Sequence, residues 1–127
     1  MQKILVAGTG QIGSRYLQGL AQMNERLEVW AYDISTQALE AAKNRWHEIQ
    51  QNYGHQINFC CSIEVLPKSF EIAIVACTAK DRPQLIQSLS EKTNIQSWIL
   101  EKLLAQSVNG LNSIASSIPK NSKCWVS

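Results

Sequence analysis

The sequence predicts an α/β fold, a doubly wound parallel sheet of six strands with helices on both faces. Three observations lead there. Short apolar runs alternate along the chain with stretches whose apolar residues recur every three or four positions, the periods of strand and helix. One run, Glu71-Ile72-Ala73-Ile74-Val75-Ala76-Cys77, is apolar almost throughout, as befits a parallel strand covered on both faces. The opening run, Ile4-Leu5-Val6-Ala7, passes directly into Gly8-Thr9-Gly10-Gln11-Ile12-Gly13, three glycines spaced GxGxxG where a strand gives way to a helix.

Taken in order, Ile4 to Ala7 is the first strand. Ile12, Tyr16, Leu20 and Met23 then fall at helical steps and predict a helix ending near Asn24, with this face against the first strand. Gly19, inside it, reads as a close contact between helix and sheet. Leu27 to Tyr32 is the second strand. Ser35 or Thr36 caps a second helix, whose apolar residues Leu39, Ala42, Trp46 and Ile49 carry it to about Gln51, with Tyr53-Gly54 closing it. Ile57 to Cys61 is the third strand and Glu71 to Cys77 the fourth. Asp81 caps a third helix with Pro83 in its first turn, running through Leu85, Ile86 and Leu89 to about Lys92. Ser97 to Leu100 is the fifth strand. Val108, Leu111, Ile114 and Ile118 mark a last helix that stops before Pro119, and Lys123 to Val126 is the sixth strand. Right-handed crossovers between such strands give the order 3-2-1-4-5-6, which reverses between the first and fourth.

Composition narrows the class. A chain of 127 residues holds one domain with a core and is too short for a second, substrate-binding domain beside it, so residues 1–127 are read as one unit. With 45% hydrophobic and 17% charged residues it is globular rather than disordered. The net charge of +2 comes from scattered lysines and arginines, which does not point to nucleic acid. Cys60, Cys61, Cys77 and Cys124 lack CxxC spacing, and buried free thiols in a reducing compartment are expected. The opening apolar run is too short for a signal or a membrane span, so a cytoplasmic protein without a membrane partner is expected. His47 and His55 have no Cys or His at metal-ligand spacing and are read as surface residues, so no metal site is expected.

The glycine turn carries the chemistry. Its first glycine permits a turn that a Cβ would obstruct, the second lets backbone approach a pyrophosphate, and the third lets the helix pack on its strand. A helix opened there aims unpaired N–H groups and the positive end of its dipole at the phosphates. Asp33 follows Gly13 by twenty residues at the end of the second strand, completing the dinucleotide-binding, or Rossmann, fingerprint in order and spacing. Its carboxylate can accept from both hydroxyls of an adenosine ribose and would repel a 2′-phosphate, which favours NAD over NADP. Lys43 and Arg45, two or more helical turns on, do not reverse this. Capping of the second helix alone is the structural alternative for Asp33. The strand ends gather the candidate cofactor-binding residues on one rim: Gly8, Thr9, Gly10, Gln11, Ile12, Gly13, Asp33, Cys77, Thr78, Glu101 and Lys102.

Glu101-Lys102 directly after the fifth strand, together with Gly8, Gly10, Gly13, Asp33 and a fourth strand ending at Thr78, resembles the amino-terminal half of the glucose–fructose oxidoreductase and inositol dehydrogenase (Gfo/Idh/MocA) family over most of the chain. The resemblance implies hydride transfer between a nicotinamide cofactor and a small hydroxylated substrate such as a sugar or polyol. It assigns Lys102, the candidate catalytic residue, to the proton movement that accompanies that transfer. Three donors on a long stem suit this task, whereas a solvated surface pair is the structural alternative for Glu101 and Lys102. The chain departs from the family at Leu103, where proline is usual, at Ala79 and Pro83, where the turn after the fourth strand lacks Thr-Pro and histidine, and in having no second domain. By this reading the chain binds dinucleotide but turns over little unless a missing domain or partner chain completes it, and a homo-oligomer is compatible with the sequence. Trp98 and Trp125 could cover such a junction or pack in the core. Two alternatives stand: a dinucleotide-binding or sensing module without catalysis, similar to the regulatory domains of potassium transport systems, and a remnant that binds nothing.

Overall fold

A computed structural model of the chain describes residues 1–49, 53–78, 80–101 and 108–126. Its elements follow one another as β1 (Gln2–Ala7), α1 (Gln11–Ala21), β2 (Leu27–Tyr32), α2 (Thr36–Glu48), β3 (Gln56–Cys60), a 3-10 turn (Ile63–Val65), β4 (Ser69–Val75), α3 (Arg82–Lys92), β5 (Asn94–Leu100), α4 (Val108–Ser117) and β6 (Lys123–Val126). The strands form one parallel sheet in the order β3-β2-β1-β4-β5-β6, as the alternation of periods predicts. Ile4 lies between Val29 of β2 and Ile72 of β4, so the order reverses beside β1.

Period-2 alternation divides each central strand between two cores. Ile4 and Val6 join Leu17, Leu20 and Ala21 of α1 and Ala42 and Trp46 of α2 on one face. Leu5 and Ala7 join Phe70, Val75, Trp98, Ile86 and Leu89 of α3 and Ile114 of α4 on the other. Burial on both sides from Ile4 to Ala7 is why that part of β1 is apolar without interruption. Among the described residues no helix is long and apolar enough to cross a membrane.

The face of α1 differs from the expected one. Ile12 and Met23 are 46% and 43% exposed, and the buried residues are Gly13, Ser14, Leu17, Leu20 and Ala21. Gly13 sets this phase: it must lie against the end of β1, and residues four, seven and eight positions later then turn to the sheet. Gly19 falls on the opposite side, where an added Cβ meets no protein atom within 4 Å, so it makes no close helix–sheet contact. The helix also stops earlier than expected, at Ala21.

Other boundaries shift for identifiable reasons. β5 begins at Asn94, because Ile95 pairs with Phe70 and both are buried. β4 ends at Val75, two residues early, where Ala76 N–H turns to the carbonyl of Ala7 at 2.8 Å. Ser35 caps α2 by accepting from Ala38 N–H at 3.2 Å. Asp81 occupies the α3 cap position without capping; its carboxylate instead accepts from the Thr78 hydroxyl at 3.1 Å.

All four cysteines are free, but only Cys60 and Cys77 are half-buried; Cys61 and Cys124 are exposed, the latter on the outer strand β6. Trp98 is fully buried, whereas Trp125 is 53% exposed on that strand. His55 is more than a surface residue. Its Nδ1 accepts from Leu27 N–H at 3.1 Å and its Nε2 lies 2.8 Å from the Met23 carbonyl, so the ring joins the exit of α1 to the start of β2. With Nδ1 accepting, the tautomer consistent with both contacts carries its proton on Nε2.

Urea denaturation tests the phase of α1: Leu17→Ala should cost about 3 kcal/mol of stability, whereas Met23→Ala should stay within about 0.5 kcal/mol of the parent.

Candidate functional site

The site is built where β1 turns into α1. Gly8 has φ +96°, and a Cβ there would sit 2.5 Å from the backbone nitrogen of Cys77. A Cβ on Gly13 would overlap the carbonyl oxygen of Gly8. Both positions thus require glycine, one for its left-handed backbone and both for space. Gly10 differs: its backbone is extended and an added Cβ would meet no protein atom within 4 Å. It is the N-cap of α1, and among the described residues no side chain caps that helix. The first-turn N–H groups therefore face outward with the positive end of the helix dipole behind them.

Asp33 stands over this turn. Its Oδ2 accepts from the Thr9 N–H at 2.8 Å and from the Thr9 hydroxyl at 3.2 Å, and its Oδ1 accepts from Ser35 N–H at 2.8 Å. It supports the entry of α2 through Ser35, which does the capping itself. Thr9 is 1% exposed, and its side chain is directed at Asp33 rather than outward.

A cleft of about 410 Å³ opens beside these groups, lined by Gly8, Tyr32, Asp33, Ile34, Cys77 and Leu85 among others. Ile34 is 82% exposed and offers a flat apolar wall. Burial pushes the Tyr32 phenol and the Cys77 thiol above their ordinary ranges. The Asp33 carboxylate adds to the first shift, whereas the Arg82 guanidinium opposes the second. Both groups are neutral at pH 7, so Cys77 lines the cleft as a thiol and not as a nucleophile.

A second cleft, of about 420 Å³, runs along α1 and is lined by Ile12, Arg15, Tyr16, Gly19, Leu20 and Glu101. Five of the candidate residues therefore divide between two hollows. Gly8, Asp33 and Cys77 line the first, Ile12 and Glu101 the second. Gln11 is exposed and borders a smaller groove with Ser14, Arg15, Gln18 and Arg45, which meets the second cleft at Arg15. Thr78 is exposed and its hydroxyl is spent on Asp81. Lys102, Leu103 and Ala79 lie outside the described residues. Among the described residues no three of His, Cys, Asp and Glu gather closely enough to hold a metal ion.

Two rim residues escape sequence reasoning. Arg82, 3% exposed, donates from Nη1 to the carbonyl of Glu101 and from Nη2 to that of Cys77, both at 2.6 Å, and so joins the exits of β4 and β5. A cation in the first turn of a helix opposes the dipole, and that misfit is its only trace in the sequence. Tyr16, expected on the apolar face of α1, donates its hydroxyl to Glu101 Oε1 at 2.6 Å. Glu101 is thus held by its main chain and its side chain at once.

No protein-family model matches the sequence, and no curated protein matches it. Solved structures do. A Gfo/Idh/MocA family oxidoreductase from Vibrio cholerae superposes with a TM-score of 0.75 at 18% identity, over 100% of this chain and 38% of that one. The chain has the fold of the part of that oxidoreductase which it covers. The myo-inositol 2-dehydrogenase of Lactobacillus plantarum gives a TM-score of 0.71 at 15% identity, over 99% of this chain and 36% of that one. The WlbA dehydrogenase of Bordetella pertussis, solved in complex with NADH and UDP-GlcNAcA, gives 0.71 at 16% identity, over 98% and 36%. The chain thus spans little more than a third of the length of these oxidoreductases.

Removing the Arg82 clamp strands two carbonyls at the rim. Arg82→Met should lower stability by about 3 kcal/mol, as two hydrogen bonds from a charged donor are lost, measured by thermal and urea unfolding.

Proposed function

We propose that the rim holds a nicotinamide adenine dinucleotide and that residues 1–127 are the cofactor-binding part of an oxidoreductase acting on a small hydroxylated substrate such as a sugar or polyol. The observation that carries this reading is the uncapped start of α1 behind Gly10, where a side chain would meet no protein atom. A diphosphate needs close backbone approach and unpaired N–H donors, and both are present at that one place. The Asp33 cleft beside it has a carboxylate for a ribose and apolar walls at Ile34 and Leu85 for an adenine.

The resemblance at Glu101-Lys102 and the NADH and nucleotide sugar bound to the Bordetella pertussis enzyme support the chemistry. Bound nicotinamide would supply the hydride; this chain's part is to orient it and to exclude water. Ile12 and Glu101 would flank the nicotinamide end, and Lys102 would move the proton of the substrate hydroxyl. The like charge of Asp33 opposes a 2′-phosphate, so NAD is the cofactor proposed. Substrate-binding groups would come from outside residues 1–127, given the share of the solved oxidoreductases that the chain spans. Cytoplasm is the compartment proposed, with free cysteines as its support.

Leu103 in place of the expected proline favours a second reading, dinucleotide binding without catalysis. Lys102→Ala separates the two. In the chain supplied with its substrate-binding complement, turnover should fall about 100-fold or more if the lysine moves a proton, a loss much larger than any change in NADH binding.

Calorimetric titration with NAD tests binding directly. Gly10→Val should still fold, at a cost of about 1 kcal/mol for the poorer cap, yet weaken NAD at least about 100-fold, because its side chain would occupy the diphosphate's place. The parent should bind NAD at least about tenfold more tightly than NADP. Equal affinity of the parent and Gly10→Val for NAD would remove the reading.

A further inference from the structure

The carboxylate of Asp33 is already heavily used. An ionised carboxylate has about four lone-pair sites, two on each oxygen. Oδ2 receives the Thr9 N–H and the Thr9 hydroxyl, at 2.8 and 3.2 Å, which fills it. Oδ1 receives Ser35 N–H at 2.8 Å, which leaves it one site. A ribose presents two adjacent hydroxyls, and only one of them finds a vacancy.

Thr9 does not readily yield its share. It is 1% exposed, its main chain is held by Asp33 on one side and by the Ser14 hydroxyl on its carbonyl at 3.1 Å on the other. Turning its hydroxyl away from Asp33 would leave a buried donor without an acceptor, which costs as much as the bond to be gained.

We infer that Thr9 restricts Asp33 to one hydrogen bond with the ribose of an adenine nucleotide, and so makes this crevice tolerant of nucleotides lacking one of the two ribose hydroxyls. The inference rests on the dinucleotide reading, and it names Thr9 as a residue that sets specificity without touching the ligand. The residue after the first glycine acts here through the acid at the end of the next strand.

The test is calorimetric titration of the chain with ADP, 2′-deoxy-ADP and 3′-deoxy-ADP, with Thr9→Val beside the parent. In the parent, one deoxy compound should bind within about twofold of ADP and the other should lose about tenfold, the worth of one bond to a charged acceptor. Thr9→Val keeps the N–H and removes the hydroxyl; it should bind ADP about fivefold or more tightly than the parent, with both deoxy compounds now falling behind ADP. Equal losses for the two deoxy compounds in the parent would overturn the inference, as would a Thr9→Val protein that binds ADP no more tightly. Should Thr9→Val fail to fold, the two deoxy compounds on the parent decide alone. A parent that binds neither ADP nor NAD sinks the dinucleotide reading itself, whereas binding that depends on both hydroxyls sinks only the role of Thr9.

Discussion

The tightest constraint in the molecule is the contact between the two ends of the glycine turn, where Gly13 lies so close under the carbonyl of Gly8 that no Cβ fits. That contact fixes the rotation of α1, and the rotation decides that Leu17, Leu20 and Ala21 meet the sheet while Ile12 and Tyr16 face the rim. Gly8 in turn leaves no room for a Cβ against the backbone of Cys77, and Ala76 N–H donates to the carbonyl of Ala7, so the exits of β1 and β4 meet at the point where the strand order reverses. A ligand crevice belongs at such a reversal because the crossovers leave it in opposite directions and uncover the strand ends.

Around that point three pairs of neighbouring strand exits are cross-linked. Thr9 and Asp33 join β1 to β2, the carbonyl of Cys60 accepts from Asp33 N–H at 3.2 Å and joins β2 to β3, and Arg82 joins β4 to β5. Tyr16 carries the same linkage from α1 to Glu101. For the residues so linked, much of the conformational cost of ordering a binding rim is met in folding. The resemblance assigns the proton-moving role to the residue that follows Glu101, and under the proposed function a clamp on both the main chain and the carboxylate of Glu101 would have a chemical use as well as a structural one.

Much of this was legible in the sequence. The run Glu71 to Cys77 announces a strand covered on both faces, Gly8 to Gly13 announce the turn, and Asp33 announces the end of the strand beside it, because each depends on local patterning that a linear chain displays. The phase of α1 was not, since Ile12, Tyr16, Leu20 and Met23 make as good a helical stripe as Gly13, Leu17, Leu20 and Ala21. Only the steric demand at Gly13 chooses between them. Arg82 and Tyr16 were hidden for a different reason. Their partners are two main-chain carbonyls and a carboxylate, reached across the rim and not along a strand or helix, and hydrogen bonds of that kind leave no period to read. The engagement of Asp33 by the Thr9 hydroxyl is likewise a fact of three dimensions, although the sequence had placed both residues at the site.

The most direct measurement is a crystal structure of the chain grown with NADH. The account predicts the diphosphate within hydrogen-bonding distance of the first N–H groups of α1 at Gly10 to Ile12, with the adenosine in the cleft of Asp33, Ile34 and Leu85. Dinucleotide bound at another surface, or a glycine turn left bare at saturating NADH, would contradict it.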